Sequence, residues 1–352
     1  MCGIVGTFFP ESSADESELR KMNECLTHRG PDEDGIFRSG SVGFGHRRLS
    51  IIDLETGRQP IFNEDSSIVV IFNGEIYNHR SLRERLADNG HKFETETDTE
   101  VLVHLYEEHG IEFINYIEGM FAFALWDEDR QSLLLARDPM GIKPLHVLID
   151  GNSIAFGSEM DAVLKSSLEH GPLNEAAVGE YFAFGYIPAP KSVFENVTKL
   201  RPGELLSVDQ TGISRKVYYK PNIDSISNNY TSTAQSLRDH VEDAVEKRLM
   251  ADVPLGAFLS GGIDSSIIVG IISKLVDDPV RTFTIGFAES QFDETWAADA
   301  VAEYHNTDHH EYTVTPDDVQ DIIPTVVESL GEPFADSSIL PTYIVARETQ
   351  QN

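Results

Sequence analysis

Between residues 67 and 156 the chain is built of short apolar runs that stop at polar turns, and this rhythm admits few folds. Residues 67–72 (Ser-Ile-Val-Val-Ile-Phe) read as a buried strand ending in the turn pair Asn73-Gly74. Residues 119–126 form a second run, closed by a polar turn at 127–130, with 132–137 as its hairpin partner. Residues 145–149 and 153–156 frame Asp150-Gly151 in the same way. Helical periodicity interrupts the strands at 16–26, 81–89 and 99–108. Strands paired in hairpins, with helices between them, predict a layered α+β domain spanning 1–219.

Beyond residue 219 the rhythm changes. Residues 220–229 are polar, aperiodic and carry one proline, so 220–230 reads as a linker. In 231–352 helices and strands alternate: helix 233–250, strand 254–259, helix 265–276, strand 281–287, helix 293–304, strand 311–314, helix 316–330. That alternation predicts a parallel sheet in an α/β domain. The sequence closes at Gln350-Gln351-Asn352 within an apparent helix, without Gly or Pro to end it. Three parallel strands would also leave an uncovered edge, so the second domain reads as C-terminally incomplete.

Composition removes several classes of function. Two domains suit 352 residues, and 40% hydrophobic content supplies their cores. With 59 acidic against 27 basic residues the net charge is −32, which repels phosphate backbones and argues against a nucleic-acid partner. It suits a high-salt cytoplasm, where repulsion is screened. Two cysteines, Cys2 and Cys25, make no disulfide framework. The sequence shows no apolar stretch of ~18 residues and no signal-peptide pattern. A cytoplasmic protein away from membranes is expected.

Cys2 follows Met1, and removal of Met1 would place a thiol and a free α-amine on one residue. An α-amine with a pKa near ~7.7 can deprotonate a thiol near ~8.5. The alternative is an incidental cysteine in a loose tail, against which the strand-like Ile4-Val5-Gly6 argues. Asn73 and Gly74 at a strand end offer an amide and a backbone N–H for an oxyanion, or simply a hairpin turn. Arg48 could hold a carboxylate by two hydrogen bonds or lie at the surface. Asp98 could bind an ammonium or cap the following helix.

In the second domain, residues 254–259 run into Ser260-Gly261-Gly262-Ile263-Asp264-Ser265-Ser266. Glycines let backbone N–H groups approach a phosphate, and the helix start favours anions. Hydroxyls of Ser260, Ser265 and Ser266 add donors, and Asp264 could hold Mg²⁺. The loop lacks the Gly-Lys-Ser/Thr of a Walker A sequence.

These stretches, with His28-Arg29-Gly30-Pro31-Asp32, residues 97–100 and the run 136–145, resemble the asparagine synthetase family over the whole chain. The resemblance implies an N-terminal nucleophile glutaminase of four-layer αββα fold, followed by a PP-loop ATP pyrophosphatase domain of the adenine nucleotide alpha hydrolase kind. It implies Cys2 as nucleophile and Asn73 and Gly74 as oxyanion hole. Arg48, Leu49, Ser50, Ile51, Ile52, Glu75 and Asp98 would bind glutamine. Phe258, Ser260, Gly261, Gly262, Asp264, Ser265 and Ile285 would bind ATP, with Mg²⁺ on Asp264. The implied reaction takes glutamine, aspartate and ATP to asparagine, glutamate, AMP and pyrophosphate. Relatives amidate other carboxylates, and a glutaminase-only fragment is the further alternative. A homodimer is expected by analogy alone.

Overall fold

The computed structural model describes residues 1–209, 211–223, 229–287 and 293–351. They cluster into two compact units, Met1–Ile223 with Gly331–Phe334, and Asp224–Leu330 with Ala335–Asn352. Part of the expected linker, residues 224–228, lies outside the described residues.

Two six-stranded sheets make the first unit. In spatial order one runs Val197–Lys199, His146–Asp150, Ser153–Gly157, Gly3–Phe8, Val42–Arg48, Glu33–Ser39. The other runs Gly212–Val217, Glu204–Asp209, Ser132–Arg137, Gly119–Asp127, Ile68–Ile76, Ile61–Phe62. Neighbouring strands are antiparallel. Side chains alternate between two cores, as the period of a strand requires. Val69, Ile71, Ala124, Trp126 and Leu135 meet Ile4, Phe44 and Phe156 of the facing sheet. Their chain neighbours Val70, Phe72, Phe123, Leu125 and Leu134 turn outward under Leu82, Leu86 and residues of the helix Val101–His109. On the opposite side Val5, Leu148 and Ala155 meet Met22 and Leu26. The layers are helix, sheet, sheet, helix. Both faces of the central strands are covered, so residues 68–72, 121–126 and 133–136 are apolar at successive positions.

The helix Glu16–Glu24 is capped by Asp15, whose carboxylate accepts from the N–H groups of Ser17 and Glu18 at 2.7 and 3.2 Å. It packs closely on the strand Val42–Arg48: a Cβ at Gly43 would lie 2.4 Å from Leu19 Cδ1. Small residues there make room for the helix.

Two readings of the sequence need correction. Asn73-Gly74 does not end its strand, since Ile68–Ile76 runs through it, with Asn73 opposite Ala122 and Gly74 opposite Phe121. Pairing with the nine-residue strand Gly119–Asp127 overrides the local turn preference. Asp98 does not cap the helix Val101–His109; Glu100 stands at that N-cap and makes no side-chain capping bond.

In the second unit three parallel strands lie in the order Gly256–Phe258, Arg281–Phe287, Asp308–Val314. Leu259, just past the first strand, and Val269 of the helix Ile263–Leu275 pack with Ala298 and Ala302 of the helix Thr295–His305. A second cluster joins Ile285, Phe287 and Val314 to Ile322, Val326 and Ile344 from the helices Pro316–Ser329 and Ile339–Gln350. Thr315 opens the first of these with a capping box completed by Asp318. Among the described residues no helix is long and apolar enough to cross a membrane.

Candidate active site

Cys2 immediately precedes the strand Gly3–Phe8, whose register sets Gly3 opposite Arg47. The thiol therefore comes beside Arg48 and Leu49, and Sγ lies 3.6 Å from the Leu49 carbonyl oxygen. Arg29 steadies this end, donating from Nε to the Cys2 carbonyl at 3.0 Å and pairing with Glu159 at 2.8 Å. Burial pushes the Cys2 thiol up, against the pull of the nearby Arg48 charge. The α-amine at Met1 is pushed down by burial.

The thiol faces a cavity of about 220 Å³. Cys2, Arg48, Leu49, Ile51, Ile52, Asn73, Gly74, Glu75 and Asp98 all line it. Ser50 does not; its backbone N–H donates to Asp32 Oδ2 at 2.8 Å, fixing the bend of the 49–52 segment.

Strand periodicity determines what Asn73 and Gly74 offer. The short strand Ile61–Phe62 covers only Val69 and Val70 of its neighbour. Beyond it, side chains replace the missing strand. Gln59 Oε1 accepts the Phe72 N–H at 2.6 Å, and Gln59 Nε2 donates to the Phe72 carbonyl at 3.2 Å. Asp98 Oδ2 accepts the Ile76 N–H at 2.8 Å. The N–H groups of residues 72 and 76 thus point to this edge, and by the same alternation the Gly74 N–H between them does too. Both anchoring residues line the cavity. A Cβ at Gly74 would lie 2.2 Å from the Met120 carbonyl oxygen, so a larger residue does not fit. Asn73 is 1% exposed, and neither its amide nitrogen nor its amide oxygen has a partner. A buried, unsatisfied amide costs folding free energy and calls for an explanation.

The other polar groups are firmly held. Arg48 is buried, pairs with Glu33 at 2.7 Å, and donates to the carbonyls of Ile52 and Asp53. Asp98 also accepts from the hydroxyls of Thr97 and Thr99, and burial pushes its carboxyl up. Gln59, Thr97, Thr99, Met120 and Lys143 line the cavity as well, although sequence reasoning gave none of them a role. Lys143 arrives there because Asp138, fully buried, accepts the N–H groups of Met140, Ile142 and Lys143 at 2.9–3.0 Å. Arg137 donates to the carbonyls of Gly141, Lys143 and Leu200. The distinctive run 136–145 was the signal for this clamp. Burial pushes the Lys143 ammonium down, opposed by Glu75 and Cys2.

The second unit has a cavity of about 610 Å³, lined by Phe258, Ser260, Ser265 and Ile285 among the sequence candidates. Gly261, Gly262 and Asp264 adjoin it in the chain without lining it. Gly261 has φ of +71°, and a Cβ there would lie 2.5 Å from Ala297, so glycine is required twice over. The loop hydroxyls are satisfied internally: Ser260 Oγ lies 3.1 Å from Ser265 Oγ, and Ser266 donates to the Gly262 carbonyl at 2.7 Å. Asp264 stands exposed in the first turn of the helix Ile263–Leu275. A carboxylate beside hydroxyls and a helix start fits Mg²⁺, which takes one or two carboxylates with phosphate oxygens. Phe283, Thr284, Phe287, Glu294, Ser338, Pro341, Thr342 and Val345 complete the lining.

The family model described as a glutamine amidotransferase domain matches residues 1–219, and that described as asparagine synthase matches 236–352. The chain is 37% identical to asparagine synthetase [glutamine-hydrolyzing] 1 of Bacillus subtilis, over 100% of this chain and 56% of that protein. It is 36% identical to the putative asparagine synthetase [glutamine-hydrolyzing] 2 of Methanocaldococcus jannaschii, over 98% of this chain and 71% of that one. It thus spans little more than half of the bacterial relative. Among solved structures, the allosteric regulatory enzyme of purine biosynthesis aligns with a TM-score of 0.48 at 17% identity, covering 88% of this chain and 65% of that chain. By the order of its two domains and its identity to the archaeal relative, the chain belongs to the glutamine-hydrolysing asparagine synthetase family.

Proposed function

We propose that the first unit hydrolyses glutamine to glutamate and ammonia, and that the second serves ATP-dependent amidation of aspartate. The observation that carries the first half is the unpartnered Asn73 amide beside the Gly74 N–H at the thiol. Removal of Met1 frees the Cys2 α-amine. The burial that lowers the present α-amine would favour the neutral form of the new one, which can take the thiol proton. The thiolate attacks the glutamine amide carbon, and the oxyanion gains the Asn73 amide and Gly74 N–H. Collapse breaks the C–N bond and ammonia leaves with the amine's proton. Water then cleaves the thioester, giving glutamate and the free thiol. Arg48 and Asp98 supply opposite charges for the α-carboxylate and α-ammonium of glutamine, with Glu75 and the Leu49, Ser50, Ile51 and Ile52 segment around them. Arg48 commits three N–H groups to the chain, leaving two of its five for a ligand.

In the second unit Ser260, Gly261, Gly262 and Ser265 hold ATP phosphates, Phe258 and Ile285 flank the base, and Asp264 holds Mg²⁺, which supplies charge neutralisation when bound. Aspartate is activated as its β-adenylate with loss of pyrophosphate, and ammonia displaces AMP to give asparagine. The acidic surface supports a cytoplasmic enzyme acting on small molecules without nucleic acid or membrane. A homodimer is part of the same reading by family analogy.

The test is glutamate release by the purified chain, with Met1 removal followed by mass spectrometry and pyrophosphate assayed in parallel with and without aspartate. Wild type should release glutamate and Cys2→Ala none. Undiminished turnover in Cys2→Ala would overturn the glutaminase half. Pyrophosphate formation indifferent to aspartate would overturn the choice of acceptor.

A further inference from the structure

On the outer side of the first unit, four side chains from three parts of the chain converge. Glu64 lies in the turn after the strand Ile61–Phe62, His91 follows the helix His79–Asp88, and His104 and Glu107 share one face of the helix Val101–His109. One potential ligand atom of each lies within 4.8 Å of all the others. We propose that these residues form a structural site for a divalent transition cation of the Zn²⁺ class.

The distances carry the proposal. His104 Nδ1 lies 3.1 Å from Glu107 Oε2 and 3.4 Å from Glu64 Oε2. His91 Nδ1 lies 3.5 Å from Glu107 Oε2 and 3.5 Å from Glu64 Oε1. Three of these four are long for N–H···O bonds, whose mode is about 2.9 Å. With one oxygen taken from Glu64, the edges to that oxygen and to Glu107 Oε2 approach the ~3.4 Å that bonds of ~2.1 Å give in a tetrahedral zinc centre, and the remaining ligand pairs lie within 4.8 Å. Two ring nitrogens also converge on the single oxygen Glu107 Oε2.

The surroundings agree. Each imidazole turns Nδ1 to the cluster and Nε2 to a further carboxylate: His91 to Glu108 at 3.5 Å, His104 to Glu100 at 3.8 Å. A metal on Nδ1 places the proton on Nε2, on the side of that carboxylate. His104 has a fully buried side chain, and its Nε2 has no hydrogen-bond partner. The carboxylates are themselves held: Asn63 Nδ2 donates to Glu107 Oε1 at 3.0 Å, and the Lys92 N–H to Glu64 Oε1 at 2.9 Å. Two carboxylates offset the charge of one divalent ion, and with two imidazole nitrogens they suit zinc by ligand type. The cation would tie the helix to two loops. Glu100, which accepts the N–H groups of Glu94 and Thr95 at 2.7 and 2.8 Å, would extend that tie to the segment leading to Asp98.

The test is titration of chelator-treated full chain with Co²⁺ alone, in a Cys2→Ala background so that the reactive thiol is no ligand. One equivalent should bind with the intense visible absorption of a tetrahedral centre, and Zn²⁺ should displace it. Glu64→Gln and His91→Ala, both at loop positions, should each weaken binding at least tenfold, with Trp126 fluorescence confirming that the variants fold. Absence of tight binding, an octahedral spectrum, or affinity unchanged in both variants would overturn the site and leave the cluster a network of imidazoles and carboxylates sharing protons.

Discussion

The two cavities treat their polar groups in opposite ways. Beside Cys2, the Asn73 amide is buried without a partner, and side chains of Gln59 and Asp98 stand in for a missing strand on either side of Gly74. In the second unit the phosphate-type loop is exposed, and Ser260, Ser265 and Ser266 spend their hydroxyls on each other and on Gly262. In the proposed reaction the first arrangement would meet a developing negative charge without breaking a bond. The second must exchange existing hydrogen bonds for new ones, so each contributes only the difference.

The comparison is tested most severely by removing one donor from each site. Asn73→Ala should lower kcat for glutamine hydrolysis about 10²–10³-fold with little change in KM, because the oxyanion exists only on the reaction path. If KM rises while kcat holds, the amide binds substrate instead, and the contrast fails. The next effect separates the units by pH. Burial holds His46 down to about 3, while its Nε2 donates to the Phe72 carbonyl, 3.1 Å away. Its unfolded value is near 6.5. As pH falls below that value the unfolded chain takes up a proton that the folded chain refuses, so stability is lost progressively toward the folded value. The loss from this one group approaches about 2 kcal/mol between pH 6.5 and 5. His104 acts in the other direction, because Glu100 and Glu107 push it up despite its burial. The telling quantity is therefore the difference between wild type and His46→Gln in how the urea midpoint falls with acid. Trp126, 1% exposed, reports on the first unit, whereas Trp296, 73% exposed, changes little on unfolding. Equal slopes for the two proteins would show that His46 is not held neutral. Smaller again, Ser265→Ala should raise KM for ATP about tenfold, the worth of one hydrogen bond to a charged group. A loss as large as that of Asn73→Ala would make the loop as preorganised as the thiol site.

What the sequence allowed depended on locality. Strands buried on both faces were plain from their apolar runs, and the βα rhythm located the second sheet. The strand Val42–Arg48 was harder to see because Gly43 and Gly45 interrupt its pattern, and those glycines answer to a helix from elsewhere in the chain. Asn73 and Gly74 were found as residues but placed in a turn, since pairing along Gly119–Asp127 is nonlocal. Gln59 and Lys143 reach the cavity through contacts that no short-range pattern records. The histidines show the same limit. His309-His310 stand out in sequence, yet His309 bonds to Thr282 while His310 stacks on Phe283. His91 and His104, thirteen positions apart, meet among carboxylates only after folding.

Ser50 gives the finest test of how the first cavity is built. The resemblance grouped it with Leu49, Ile51 and Ile52, but it does not line the cavity, and its backbone N–H is tied to Asp32. If the segment works through its backbone, Ser50→Ala should leave glutamine KM within about twofold and stability within ~0.5 kcal/mol. Asp32→Ala should raise KM, because it removes the acceptor that holds the Ser50 N–H and with it the position of Leu49, whose carbonyl faces the thiol. A large KM effect from Ser50→Ala alone would mean that the hydroxyl itself meets substrate. The cavity would then rearrange on binding, and the contrast between a fixed first site and an adaptable second one would no longer hold.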